Sequence, residues 1–350
     1  MLTLMYHNIL TGPANDVPVA ENQVTLETFR RHMLRFRREL LNPLEVHAQL
    51  NVGKIPRGVL VTFDDGALGI IDAGRVLAEL GALGVAFICP GAIAGGLWFY
   101  KLADALVRAA PQQLRWRQFD LALVGRPERL VAYRSLSRVL FEMSPVARDE
   151  ALWEIVDGLH VSPAPPTASL ATLDDVTLRQ AQATGGLVFA NHSWSHPNLV
   201  GLPQTELVSE VEKADHWLRS SELSTLPWFA FPRGTHDGRV RDVVAGYCPV
   251  AFGATAYETG TGVFPRTYIS ELDANPLRFA LKTIWGGRLG SLVSKRFKRS
   301  VPSKSNHIPS SAIEADNGDS VGASTHSSTG IELGGWTPDR DRGERSSSSH

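Results

Sequence analysis

The run Val59-Leu60-Val61-Thr62-Phe63, followed directly by Asp64-Asp65-Gly66, constrains this chain more than any other stretch. The apolar and β-branched residues have the length and composition of a buried strand. Two adjacent carboxylates stand where that strand ends, and proteins built from parallel strands keep their chemistry at that end. Side-by-side acids repel, so such a pair needs a metal ion, a hydrogen-bond network or water to take up its charge. Taken alone, Asp65-Gly66 is equally a plain turn.

Strand and helix signals alternate around this point. Leu2 to Tyr6 predicts a first strand that delivers His7 at its end. Phe29, Met33, Phe36 and Leu40 recur at helical spacing behind Thr25, a candidate N-cap. Leu44 to His47 predicts a short strand. Ala67 to Leu80 predicts a helix closed by Gly81 and Gly84, with a strand over Val85 to Cys89. Later come a capped helix over Thr172 to Thr184, a strand over Gly186 to Ala190 and a helix over Thr205 to Ser221. A strand over Trp228 to Phe231, a helix over Asp237 to Ala245, and strands over Val250 to Thr255 and Thr267 to Ser270 complete the series. Alternation of this kind specifies an α/β fold: a distorted (β/α) barrel of about seven or eight mostly parallel strands.

Residues 98–170 interrupt the rhythm with three helical patterns, near 98–110, 128–144 and 145–160, and a Pro-rich connector at Pro163-Ala164-Pro165-Pro166. A helical insertion placed after a strand's C-terminal end is a candidate lid or recognition element. The expected organisation is a catalytic domain over 1–275, a basic amphipathic segment over 276–300 and a Ser-rich disordered tail over 301–350.

A net charge of -1 over 350 residues excludes a nucleic-acid binder that works by overall basicity. Cys89 and Cys248 lie in apolar runs and read as buried thiols. The N-terminus lacks the pattern of a signal peptide and no apolar stretch has membrane-spanning length, so the expected address is cytoplasmic. Residues 277–304 hold eight Lys or Arg residues and no acid, interleaved with Leu277, Leu281, Ile284, Trp285, Leu289, Leu292 and Val293. That stretch is a candidate for peripheral contact with the inner face of an anionic membrane, or else a final packed helix with a solvated basic end.

His192 and His196 follow a predicted strand in Asn191-His192-Ser193-Trp194-Ser195-His196-Pro197. Two imidazoles at this spacing meet on one side of a turn, and one carboxylate completes a set of three metal ligands that leaves positions open for water and substrate. A divalent ion serves amide hydrolysis twice, by acidifying water and by polarising the carbonyl. The turn Phe231-Pro232-Arg233-Gly234 offers the backbone N–H of Arg233 to an oxyanion. Phe231, Pro232 and Gly234 are candidates for substrate contact, Gly234 by letting a ligand approach. Trp194 either stacks on a sugar ring or packs beneath the site. His236 is close enough in sequence to line the cleft.

Thr62-Phe63-Asp64-Asp65-Gly66 and His192-Ser193-Trp194-Ser195-His196 resemble the first two motifs of the polysaccharide deacetylases with a NodB-homology domain, carbohydrate esterase family four. Phe231 to Gly234 resembles a shortened third motif. The resemblance implies metal-dependent removal of N-acetyl groups from the amino sugars of a polysaccharide or its lipid-linked precursor. It assigns Asp64 as catalytic base and Asp65, His192 and His196 as ligands of a divalent metal, zinc first, with cobalt, nickel or manganese as alternatives. The arginine that orients the base in many members is absent, and Arg266 is the candidate to replace it. A late Leu-x-His motif is also absent. Tyr6-His7 resembles instead the circularly permuted branch that includes poly-N-acetylglucosamine deacetylases, which makes His7 the candidate general acid. The alternatives are a metal-dependent amidase or esterase for another acyl group, and an inactive glycan-binding or membrane-surface scaffold.

Overall fold

The computed structural model describes residues 1–12, 22–93, 95–161, 166–254 and 262–284. Its centre is a sheet of eight strands, all parallel to their neighbours. In chain order they are β1 (Leu2–Tyr6), β2 (Val59–Phe63), β3 (Gly84–Ile88), β4 (Leu187–Asn191), β5 (Thr225–Ala230), β6 (Val250–Phe252), β7 (Val263–Phe264) and β8 (Thr267–Tyr268). The spatial order is β7-β6-β5-β4-β3-β2-β1-β8. Each strand therefore neighbours its predecessor, except that β8 closes back beside β1 and leaves the seam between β7 and β8 unpaired. This is the topology of an eight-stranded barrel, curled and left open, with helices around it.

β2, β3 and β4 are buried along their whole length, which is why they read as continuous apolar runs. Alternation still sorts their side chains. Leu60, Val85, Phe87, Val188 and Ala190 join Trp228 and Phe252 in one cluster. Val61, Phe63, Ala86, Ile88 and Phe189 pack on the opposite face against helices Leu26–Arg35 and Ile70–Glu79.

The helical insertion has its own core. Helices Trp98–Arg108, Arg126–Phe141 and Pro145–Gly158 bury Leu102, Leu106, Leu136, Leu140, Leu152 and Ile155 together. Ala67 and Cys89, from the ends of β2 and β3, belong to the same cluster. An antiparallel hairpin, Gln113–Trp116 with Phe119–Ala122, joins the first two helices in a gap for which no element was expected.

Several elements differ from the sequence expectation. Leu44 to His47 is not a strand but part of helix Pro43–Asn51, started by the Asn42 side chain, which accepts from the Leu44 N–H, and by Pro43 in the first turn. The helix behind Thr25 stops at Arg35, and Leu40 bridges to Val59 at the start of β2. The helix expected from Ala67 begins at Ile70, because Ala67 bridges to Thr172 and Gly69 lies against the Ile9 carbonyl with no room for a side chain. The helix expected from Thr172 begins at Asp175 behind an Asp174 capping box. A small parallel pair, Asn8–Leu10 with Gln23–Thr25, had no periodicity to announce it.

Residues 276–284 form a helix with Phe279 buried, and Arg278 and Lys282 both bind Asp273. Among the described residues no helix is long and apolar enough to cross a membrane. The rest of the basic segment, the tail over 301–350 and most of the Pro-rich connector lie outside the described residues.

Candidate active site

Asp64 and Asp65 follow β2, and both are buried. Asp64 receives a two-pronged contact from Arg266, Nη1 to Oδ1 at 2.6 Å and Nη2 to Oδ2 at 2.7 Å. Arg266 sits just before β8, is itself buried, and donates Nε to the Gly253 carbonyl at 2.8 Å. Burial opposes ionisation of Asp64, but the charges of Arg266 and His192 outweigh it and hold the carboxyl below its usual range.

Asp65 turns away from Asp64 on a backbone with φ of 76°, and its Oδ1 lies 3.5 Å from Nε2 of both His192 and His196. One ligand atom from each of these three buried residues lies within 4.8 Å of the others. Desolvation would raise the Asp65 pKa, yet the three imidazoles of His192, His7 and His196 keep it well below the ordinary value.

The histidines are presented by the turn after β4. His192 Nδ1 lies 2.7 Å from the Ala230 carbonyl, which can only accept, so Nδ1 carries a hydrogen and Nε2 is the ring atom turned towards the acids. For His192, burial favours the neutral form, but Asp64 and Asp65 together raise its pKa. Burial pushes His196 down to about 3, so it stays neutral. Ser193 and His196 both adopt positive φ, and the turn is fastened by Asn191 Oδ1 to the Ser193 N–H and by Ser193 Oγ to the His196 N–H. Glu210 accepts from the N–H and hydroxyl of Ser195. Four of the six non-glycine residues with positive φ among the described residues are Asp65, Ser193, His196 and Arg233. Such strain persists where the surroundings over-determine it, as functional sites do.

This donor set suits a divalent cation: two imidazoles and one carboxylate, all buried, converge with a second carboxylate alongside.

His7 follows β1 with its ring edge-on to Tyr268 at 5.7 Å, near enough for its charge to act on both Asp64 and Asp65. Its Nδ1 is buried without a hydrogen-bond partner. Arg233 turns with φ of 52°, and its guanidinium lies over Phe141 at 4.2 Å and Trp98 at 5.7 Å, both from the insertion.

Three expected substrate contacts are otherwise employed. Phe231 is fully buried against Phe229 and His236, and Pro232 is buried too, so they shape the turn from below. Gly234 makes room for its own chain: a Cβ there would come within 2.4 Å of the Ala254 Cβ, so the glycine serves backbone packing and not substrate approach. Trp194 is half-buried with its indole against Gly91, where a Cβ would meet Nε1 at 2.6 Å.

The insertion contributes residues that sequence reasoning missed. Trp98 Nε1 donates to the His196 carbonyl at 3.1 Å, Arg148 Nη1 donates to the Ser195 carbonyl at 3.1 Å, and Phe99 stands edge-on to the His196 ring at 5.0 Å. The only signal for them was the position of the insertion after β3.

Residues 166–247, which include both histidines and the Arg233 turn, match the family model described as polysaccharide deacetylase. Comparison with curated proteins finds no match. Among solved structures, the Streptococcus pyogenes deacetylase PplD in complex with acetate is similar at TM-score 0.51 and 15% identity, covering 81% of this chain and 97% of that chain. A polysaccharide deacetylase from Bacillus cereus gives 0.50 and 14%, over 81% of this chain and 68% of that one. IcaB from Ammonifex degensii gives 0.49 and 14%, over 81% and 96%. The class that the fold defines is an open, curled (β/α) barrel, and the segment over residues 166–247 is similar to the polysaccharide deacetylase family.

Proposed function

We propose that the protein is a metal-dependent N-deacetylase that hydrolyses the acetamido group of an amino sugar in a glycan or its precursor and releases acetate. The observation that carries this is the convergence of Asp65, His192 and His196 beside an Asp64 carboxylate already held by Arg266. Asp65, His192 and His196 would hold the ion, zinc being the first choice for two imidazoles and a carboxylate. When bound, that ion lowers the pKa of water and polarises the acyl carbonyl.

The chain's own groups divide the remaining work. Asp64, ionised and kept in place by Arg266, takes the proton from the attacking water. The Arg233 N–H donates to the oxygen that gains negative charge. His7 approaches the acids from the β1 side and delivers a proton to the departing amine, which cannot leave as an anion. The insertion fixes the histidine turn through Trp98 and Arg148.

Acetate release from a panel of N-acetylated glycans, with metal-free and metal-restored protein, tests this reading. Release that needs the metal and is lost in Asp64→Asn with metal still bound supports it. Release of another acyl group in place of acetate would make it an amidase or esterase of different scope. Catalytic silence with glycan binding retained would make it a scaffold.

The same reading includes work at an anionic membrane. Leu277, Leu281 and Ile284 lie at helical spacing and are exposed by 69, 48 and 70%, and six further basic residues follow by Lys304. Co-sedimentation with phosphatidylglycerol vesicles should fall when these three residues become serine, and unchanged binding would remove the membrane from the account.

A further inference from the structure

Helix Trp98–Arg108 opens with three consecutive aromatics, and the third does something that packing does not explain. Tyr100 is 2% exposed, and its hydroxyl is sealed from solvent without a hydrogen-bond partner in the protein. A buried hydroxyl left unpaired is destabilising, a cost that phenylalanine would avoid. Its neighbours locate it. The Tyr100 ring meets Phe99 edge-on at 4.9 Å, and Phe99 in turn meets the His196 ring at 5.0 Å. After burial itself, the carboxylate of Asp65 acts on the hydroxyl most, followed by Tyr133 and Tyr268. Tyr268 is the partner of the His7 ring, and Tyr133 senses the Arg233 charge and Asp65. Tyr100 thus stands one aromatic ring away from the candidate metal ligand His196, with its hydroxyl unpaired.

Tyr100 Oη, His7 Nδ1 and His196 Nδ1 are all buried without hydrogen-bond partners, although they come from elements far apart in sequence, and Asp65 interacts electrostatically with all three side chains. We propose that Tyr100 is a further catalytic residue, whose hydroxyl donates a hydrogen bond to the acyl oxygen of the bound acetamido group as that oxygen becomes negative. The proposal rests on the N-deacetylase reading. Burial and the adjacent carboxylate keep the phenol protonated well past neutral pH, so it is a donor throughout the working range. No proton is transferred: the hydroxyl is a second fixed donor beside the Arg233 N–H, supplied by the insertion.

Tyr100→Phe in the full-length chain tests this, because it removes one oxygen and keeps the ring. Three quantities are measured: zinc affinity of the metal-free protein, steady-state acetate release, and affinity for a methylphosphonamidate of glucosamine that mimics the tetrahedral intermediate. The expected result is zinc affinity and KM within about threefold of the parent, with kcat down about a hundredfold and analogue affinity down by a similar factor. Unchanged kcat and analogue affinity would overturn the proposal, as would losses that merely follow weakened zinc binding. If the parent protein releases no acetate, the functional reading fails. The comparison of analogue binding between parent and variant then still decides what the hydroxyl contacts. Should the variant not fold, 3-fluorotyrosine at position 100 makes the hydroxyl a stronger donor, and tighter analogue binding supports the role while equal binding opposes it.

Discussion

Arg266 grips both carboxylate oxygens of Asp64, at 2.6 and 2.7 Å, across 202 positions of sequence. The contact ties the entrance of β8 to the exit of β2 and keeps a buried acid ionised. Arg266→Met should leave that carboxylate uncompensated and lower stability by about 3–5 kcal/mol. The folded pKa of Asp64 lies below its unfolded one, so its contribution is present above an ordinary carboxylate pKa of about 3.9 and disappears as pH falls through the lower folded value. In the variant the folded pKa rises, so the acidic limb of the rate profile should move to higher pH. Denaturant unfolding at neutral pH and kcat measured from pH 4 to 8 check both; a limb that stays put would separate Arg266 from the base.

His7 is placed to protonate a departing amine. His7→Ala should lower kcat on an N-acetylated sugar by about 10²- to 10⁴-fold with metal content unchanged. On an activated aryl acetate, whose leaving group departs without a proton, the variant should nearly match the parent. Equal losses on both substrates would assign His7 to some other task.

The bond from Trp98 Nε1 to the His196 carbonyl fastens a candidate ligand to the insertion. Trp98→Phe keeps an aromatic there and removes the donor, and zinc affinity should fall by about tenfold, the lower end of what lost supporting bonds around a metal cost. Competition with a chelating dye measures it. Undiminished affinity would mean that the turn after β4 is rigid by itself.

The two motifs could be read because each is local. Five fully buried residues lead into Asp64, and five lead into His192, so the apolar run and the chemistry sit side by side. Arg266 stood out only as a stray cation before a short strand, since nothing local pairs it with Asp64. Tyr100, Trp98 and Phe99 were hidden for another reason: helical periodicity reports that a face is buried, not what it is buried against, and most of that helix does build the insertion's own core. The run Leu44 to His47 misled because four residues carry too little period to separate strand from helix, and Asn42-Pro43 decided the matter. Gly234 was read as an opening for ligand, whereas Ala254 fills the space.

Zinc titrated into the metal-free protein, with acetate release followed at each addition, tests the central claim most directly. The account predicts no release without metal, a linear rise that saturates at about one equivalent, and loss of both binding and release in His192→Ala. Full release from the metal-free protein, or from His192→Ala, would contradict it.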